Sequence, residues 1–128
     1  MFDRFVVYEV LKNCLVQDSN RGVQCRTDLE EAGIISLLIH DIFGGEILKT
    51  HKKKGWHFYN RIEGKRFDFT TPDINKSSDD IKFEDIPSSP GETHYYFEDE
   101  AYSTFLTRFI SAFEEAIGLD KYRPGLTA

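Results

Sequence analysis

Apolar positions recur at helical spacing in three stretches of the chain and alternate with polar ones in three shorter stretches. Residues 3–15 place Phe5, Val6, Val10 and Leu11 at helical intervals behind Asp3, a residue suited to N-cap a helix. Residues 17–26 are polar, contain Gly22 and predict a loop. A second helix is predicted over residues 28–43. Thr27 with Glu30, or Asp28 with Glu31, has capping-box spacing, and Gly44-Gly45 stops the helix. Its middle, Ile34-Ile35-Ser36-Leu37-Leu38-Ile39, is apolar nearly all round, so this helix is central and buried on most sides. Strands are predicted over residues 46–50, 56–62 and 65–69. Residues 72–91 are polar, contain Pro72, Pro87 and Pro90, and read mostly as loop, with a short extended piece near 81–83. A last helix over residues 100–117 carries the stripe Phe105, Leu106, Phe109, Ile110, Phe113 and Ile117. Gly118 ends it, and Pro124 lies beyond. This order predicts an α+β fold: a central buried helix on a small antiparallel sheet, flanked by N- and C-terminal helices, in one domain over residues 1–128.

The second and third strands form a hairpin. Glu63-Gly64 is the natural two-residue turn, which pairs Ile62 with Lys65, Tyr59 with Asp68 and His57 with Thr70. Side chains alternate across a strand. One face then carries Phe58, Ile62, Phe67 and Phe69, and the other His57, Tyr59, Arg61, Arg66, Asp68 and Thr70. A slip of one residue would split the two apolar pairs between faces, so the hydrophobic pattern fixes this register. His57 and Asp68 become diagonal neighbours on the polar face, with Cβ atoms at most about 7–8 Å apart. A carboxylate there can accept the imidazole N–H, fix the tautomer and stabilise an imidazolium.

Composition narrows the chemistry. The chain has 128 residues, 40% hydrophobic and 30% charged, a soluble globular balance. A net charge of −6 argues against nucleic acid as a partner, and the one basic run, Lys52-Lys53-Lys54, reads as a solvated turn. No apolar run approaches the roughly 20 residues that span a membrane. Two cysteines and no secretory segment point to the reducing cytoplasm, with both thiols free. His40, His51, His57 and His94 have no spacing that closes a metal site, and the cysteines lack CxxC. No metal and no cofactor are therefore expected. His40 reads as a helix-surface or satisfied core residue, and His94 as a loop histidine that can edge a cleft.

A His–Asp pair needs a nucleophile to be a hydrolase or transferase site. A helix N-terminus and a nearby imidazolium both favour a thiolate. Cys25 lies just before the second helix and is the candidate. Cys14 lies near the end of the first helix, where the dipole opposes a thiolate, and reads as structural.

The run from Leu37 to Ile47, with Trp56-His57-Phe58-Tyr59-Asn60-Arg61-Ile62 and Phe67-Asp68-Phe69-Thr70, resembles the YunG family of small bacterial proteins. The resemblance implies a papain- or transglutaminase-like Cys-His-Asp core. The family pattern is Gly-Gln-Cys opening a helix, then Asp-x-Phe-Gly-Gly, His-x-Tyr-Asn and Asp-x-Thr. His57 and Asp68 match the motif His and Asp; Asn60 and Thr70 match positions without an assigned role. The family Cys precedes the Asp of Asp-x-Phe-Gly-Gly by about nine residues. Counting back from Asp41 reaches Ala32 in Glu30-Glu31-Ala32-Gly33. Val23-Gln24-Cys25 has the motif's wording, but its use needs an insertion of about two helical turns. Two functions follow from the resemblance. One is a degenerate member, its nucleophile lost at Ala32, that binds a small molecule or peptide in the His57/Asp68 cleft with Trp56 and Tyr59. The other is an active cysteine-dependent hydrolase or acyltransferase using Cys25, His57 and Asp68.

Overall fold

A computed structural model describes residues 3–20, 28–52, 55–69 and 83–118, with the side chains of 15–20 and 28–29 left aside. Cys25, Thr27 and Thr70 lie outside the described residues, as do Lys53, Lys54, Ile81 and Lys82. The elements are α1 (Arg4–Asn20), α2 (Asp28–Phe43), β1 (Glu46–Lys52), β2 (Gly55–Ile62), β3 (Lys65–Phe67), β4 (Ile86–Pro87), α3 (Pro90–His94) and α4 (Asp99–Ile117). The class is α+β, with one antiparallel sheet in the order β3-β2-β1-β4. Among the described residues no helix is long and apolar enough to cross a membrane.

The chain divides into two compact units, Met1–Cys25 with Ser103–Ala128, and Arg26–Tyr102. In the first, Asp3 caps α1: its Oδ1 accepts from the Phe5 and Val6 amides at 3.0 and 3.3 Å. Val7, Val10, Leu11 and Cys14 repeat at helical spacing and are buried, as are Phe105 and Phe109 of α4. α1 runs on to Asn20, past the predicted end at residue 15. Cys14 therefore lies well inside the helix and not near its end; burial pushes its thiol pKa up, against a smaller opposing pull from Arg108, and it packs as a core residue.

The second unit is built on α2, whose bounds are those the sequence predicts. Every residue from Ala32 to Ile39 is buried. Gly44 and Gly45 take φ of +80° and +83° and turn the chain directly into β1. The hairpin also has the predicted register, Ile62 opposite Lys65 and Asn60 opposite Phe67. Its turn has positive φ at both Glu63 (52°) and Gly64 (80°), the type I′ geometry that suits a two-residue loop.

Two expectations need correction. β3 stops at Phe67, not Phe69, because Asp68 leaves the ladder and turns its carboxylate to His57. In the described part of the stretch read mostly as loop, residues 83–91, β4 forms at Ile86–Pro87 and α3 begins at Pro90. The sequence signal for the helix is Ser89-Pro90-Gly91-Glu92, an N-cap serine followed by proline at the first helical position. Ser89 Oγ accepts from the Glu92 amide at 3.2 Å.

Candidate functional site: the His57–Asp68 pair and its roof

The ladders on both sides of β2 are unbroken, so its side chains alternate strictly between two faces. Phe58, Asn60 and Ile62 share one face with Ile47 and Lys49. Asn60 Nδ2 donates to the Ser36 carbonyl of α2 at 3.0 Å, and Phe58 lies 5.6 Å from the Tyr96 ring just after α3. Gly33 of α2 faces Phe97 and the Thr93 carbonyl. The helices α2 and α3 therefore cover this face. His57 and Tyr59 point to the other, together with Leu48 and Thr50 of β1, and their rings stack 6.2 Å apart.

On that second face His57 Nε2 meets Asp68 Oδ2 at 2.7 Å, with side-chain exposures of 5% and 8%. The structure thus joins the two residues that spacing placed diagonally. It also corrects the expectation of an open polar face, because His57 and Tyr59 are both buried. The nitrogen engaged by the carboxylate is Nε2, the one farther from the backbone.

The roof over Tyr59 comes from residues 83–85, just before β4. Phe83 packs edge-on against the Tyr59 ring at 4.9 Å, and the Arg66 guanidinium lies 4.6 Å from the Phe83 centroid. The Tyr59 hydroxyl donates to Asp85 Oδ1 at 2.8 Å and accepts from the Asp85 amide at 2.7 Å. Arg66 forks onto both Asp85 oxygens at 3.0 and 2.6 Å. Burial, then the Asp85 hydrogen bond, push the Tyr59 hydroxyl pKa up to about 12. The Arg66 bonds hold the Asp85 carboxyl below its usual range. Glu84 Oε1 accepts from Thr50 Oγ1 (3.1 Å), the His51 amide (2.7 Å) and His51 Nδ1 (2.9 Å), and these bonds lower its pKa too. Sequence reasoning missed this roof, because Phe83-Glu84-Asp85 reads as part of a polar tract.

The remaining candidates fall elsewhere. Ala32 is 0% exposed inside α2, the helix on the opposite face of the sheet from His57. Cys25 lies outside the described residues. Trp56 is on the α2 face, sandwiched between His51 (4.0 Å) and the Lys49 ammonium (4.1 Å), which also pairs with Glu92. His40 Nδ1 bonds the Gly45 carbonyl at 3.1 Å and closes the end of α2. His94 ends α3, between Phe97 and Tyr102. Among the described residues no three His, Cys, Asp or Glu side chains converge as a metal site would require.

Comparison with known proteins adds the following. A family model described as YunG protein matches residues 7–114. A Bacillus subtilis (strain 168) protein described as uncharacterized protein YunG is 39% identical over 72 residues. That match covers 56% of this chain and 60% of the relative, so the chain spans less than two thirds of the relative's length. No solved structure matches.

Proposed function

The chain belongs to the YunG family, and from that premise we propose that it is a non-catalytic binding module built around the His57–Asp68 face of its sheet. One observation carries the reading: α2, on which the ungapped resemblance puts the motif's nucleophile position at Ala32, packs against the face of β2 opposite to His57. A thiol at that position would sit in the helix-side core with the sheet between it and the imidazole. The ligand is a small molecule or peptide that reaches this face. The degenerate motif is then a scaffold: Asn60 ties β2 to α2, and Gly44-Gly45 makes the joint from α2 into β1.

Thiol labelling tests this. Ala32→Cys should give a thiol that iodoacetamide reaches only on unfolding, and the native cysteines should label at neutral pH no faster than an ordinary thiol. Rapid labelling of the wild-type protein at pH 6, abolished by His57→Ala, would overturn the reading and restore a Cys25-His57-Asp68 enzyme.

A further inference from the structure

Among the described residues the outer edge of β1 is paired over only part of its length. Among the described residues β4 pairs there with Leu48 and Lys49, and Pro87 brings no N–H to the ladder. Ser88 N adds one bond to the Ile47 carbonyl at 2.8 Å. Further along, a side chain replaces a strand: the Glu84 carboxylate takes the His51 amide. An edge of this kind is a template for an added extended chain.

The segment on that edge is held chiefly by polar groups at the surface. Side-chain exposures are 41% for Glu84, 65% for His51, 30% for Asp85 and 41% for Arg66. Exposed pairs of this type contribute little individually. Asp85 also adopts a φ of +56°, in the left-handed region, which a non-glycine residue enters at a cost. Yet each side chain has its receptor on the sheet. Phe83 lies on Tyr59 and under Arg66, Glu84 answers Thr50 and His51, and Asp85 answers Arg66 and Tyr59. Removing the two carboxylates leaves cationic and hydroxyl groups facing outward from the sheet.

We propose that Phe83–Pro87 is an internal pseudo-ligand, occupying a docking edge whose external partner is an extended peptide with an aromatic residue followed by two carboxylates. The inference rests on the binding-module reading and names its ligand. The peptide displaces the strap, pairs with β1 in its place and seats its carboxylates on His51 and Arg66.

The probe is a synthetic peptide copying residues 83–88, titrated against the full chain and followed by Trp56 fluorescence. The Glu84→Ala/Asp85→Ala variant, with native circular dichroism, is expected to bind it at least tenfold more tightly than the wild type, whose own strap competes. Arg66→Ala added to that variant removes the gain. Equal binding by variant and wild type overturns the proposal. So does a concentration-dependent dimer of the variant in place of peptide binding, which assigns the edge to a second copy. Hydrogen exchange on the unmodified protein gives a reading that needs no variant. The His51 and Ser88 amides should exchange at least a hundredfold faster than the β1–β2 ladder amides, and equal protection overturns the proposal. Thiol labelling is independent of both measurements, so failure of the peptide site and failure of the non-catalytic reading are distinguishable.

Discussion

Asn60 and the paired glycines carry more of the architecture than their places in a motif suggest. Asn60 is 1% exposed, and its amide gives β2 a fixed position against α2 through the Ser36 carbonyl. Gly44 and Gly45 share a positive φ but differ in surroundings. A Cβ on Gly44 would meet nothing within 4 Å, whereas one on Gly45 would stand 2.5 Å from the Arg61 carbonyl oxygen. Gly44→Ala should therefore cost only the left-handed backbone penalty, about 1–2 kcal/mol. Gly45→Ala adds a backbone clash and should cost about 1–3 kcal/mol more. Urea unfolding of the two variants measures the difference, and equal losses would contradict the close approach of Arg61. Asp41 of the same motif accepts from the Tyr102 hydroxyl at 2.5 Å, so its carboxylate too is spent on structure.

Among the elements, α2 and the β2–β3 hairpin were legible because each is fixed by local pattern. The apolar run and its glycine stop bound the helix, and a two-residue turn sets the hairpin register. The strap was not legible. Its burial comes from Tyr59, Thr50 and Arg66, residues distant in sequence, and its own residues are mostly polar. That chemistry gives it a pH signature. The Asp85 and Glu84 carboxyls titrate lower in the closed strap than in an open chain. Closure is therefore fully stabilised above the ordinary carboxylate range of about 4 and weakens as pH falls through the depressed values. Tyr59 works in the opposite direction: with its pKa raised to about 12, stability is lost as pH climbs from the ordinary tyrosine value of about 10. Absorbance titration near 295 nm should show a late tyrosine step near 12 that disappears in Tyr59→Phe, while Tyr102, raised further by burial and its bond to Asp41, stays protonated through it. The His51 amide signal should lose protection in acid and keep it at neutral pH. A Tyr59 that ionises with the exposed tyrosines would mean the roof is not closed in solution.

At the scale of the molecule, the sequence made the α+β class and the His57–Asp68 contact readable, but not the side of the sheet on which each helix packs. Alternation divides β2 into two faces, and both turn out to be buried: Phe58 and Asn60 under α2 and α3, Tyr59 under a strap that polarity disguised. Which face is which bears directly on what the His57–Asp68 pair is for. A reactive pair is commonly a liability to the fold, and removing it leaves stability unchanged or improved. A pair buried to 5% and 8% exposure that binds the end of the hairpin to β2 should behave in the opposite way. Asp68→Ala should destabilise by about 1–3 kcal/mol, because it takes the carboxylate from a buried imidazole nitrogen. His57→Phe with Asp68→Leu should lose clearly less than the two single losses added, since a matched apolar pair no longer needs a partner for a buried charge. The double-mutant cycle, read from denaturant midpoints, separates the roles: a coupling above about 1 kcal/mol marks a structural pair. Additive effects with no loss of stability would return the two residues to chemistry and count against the binding module.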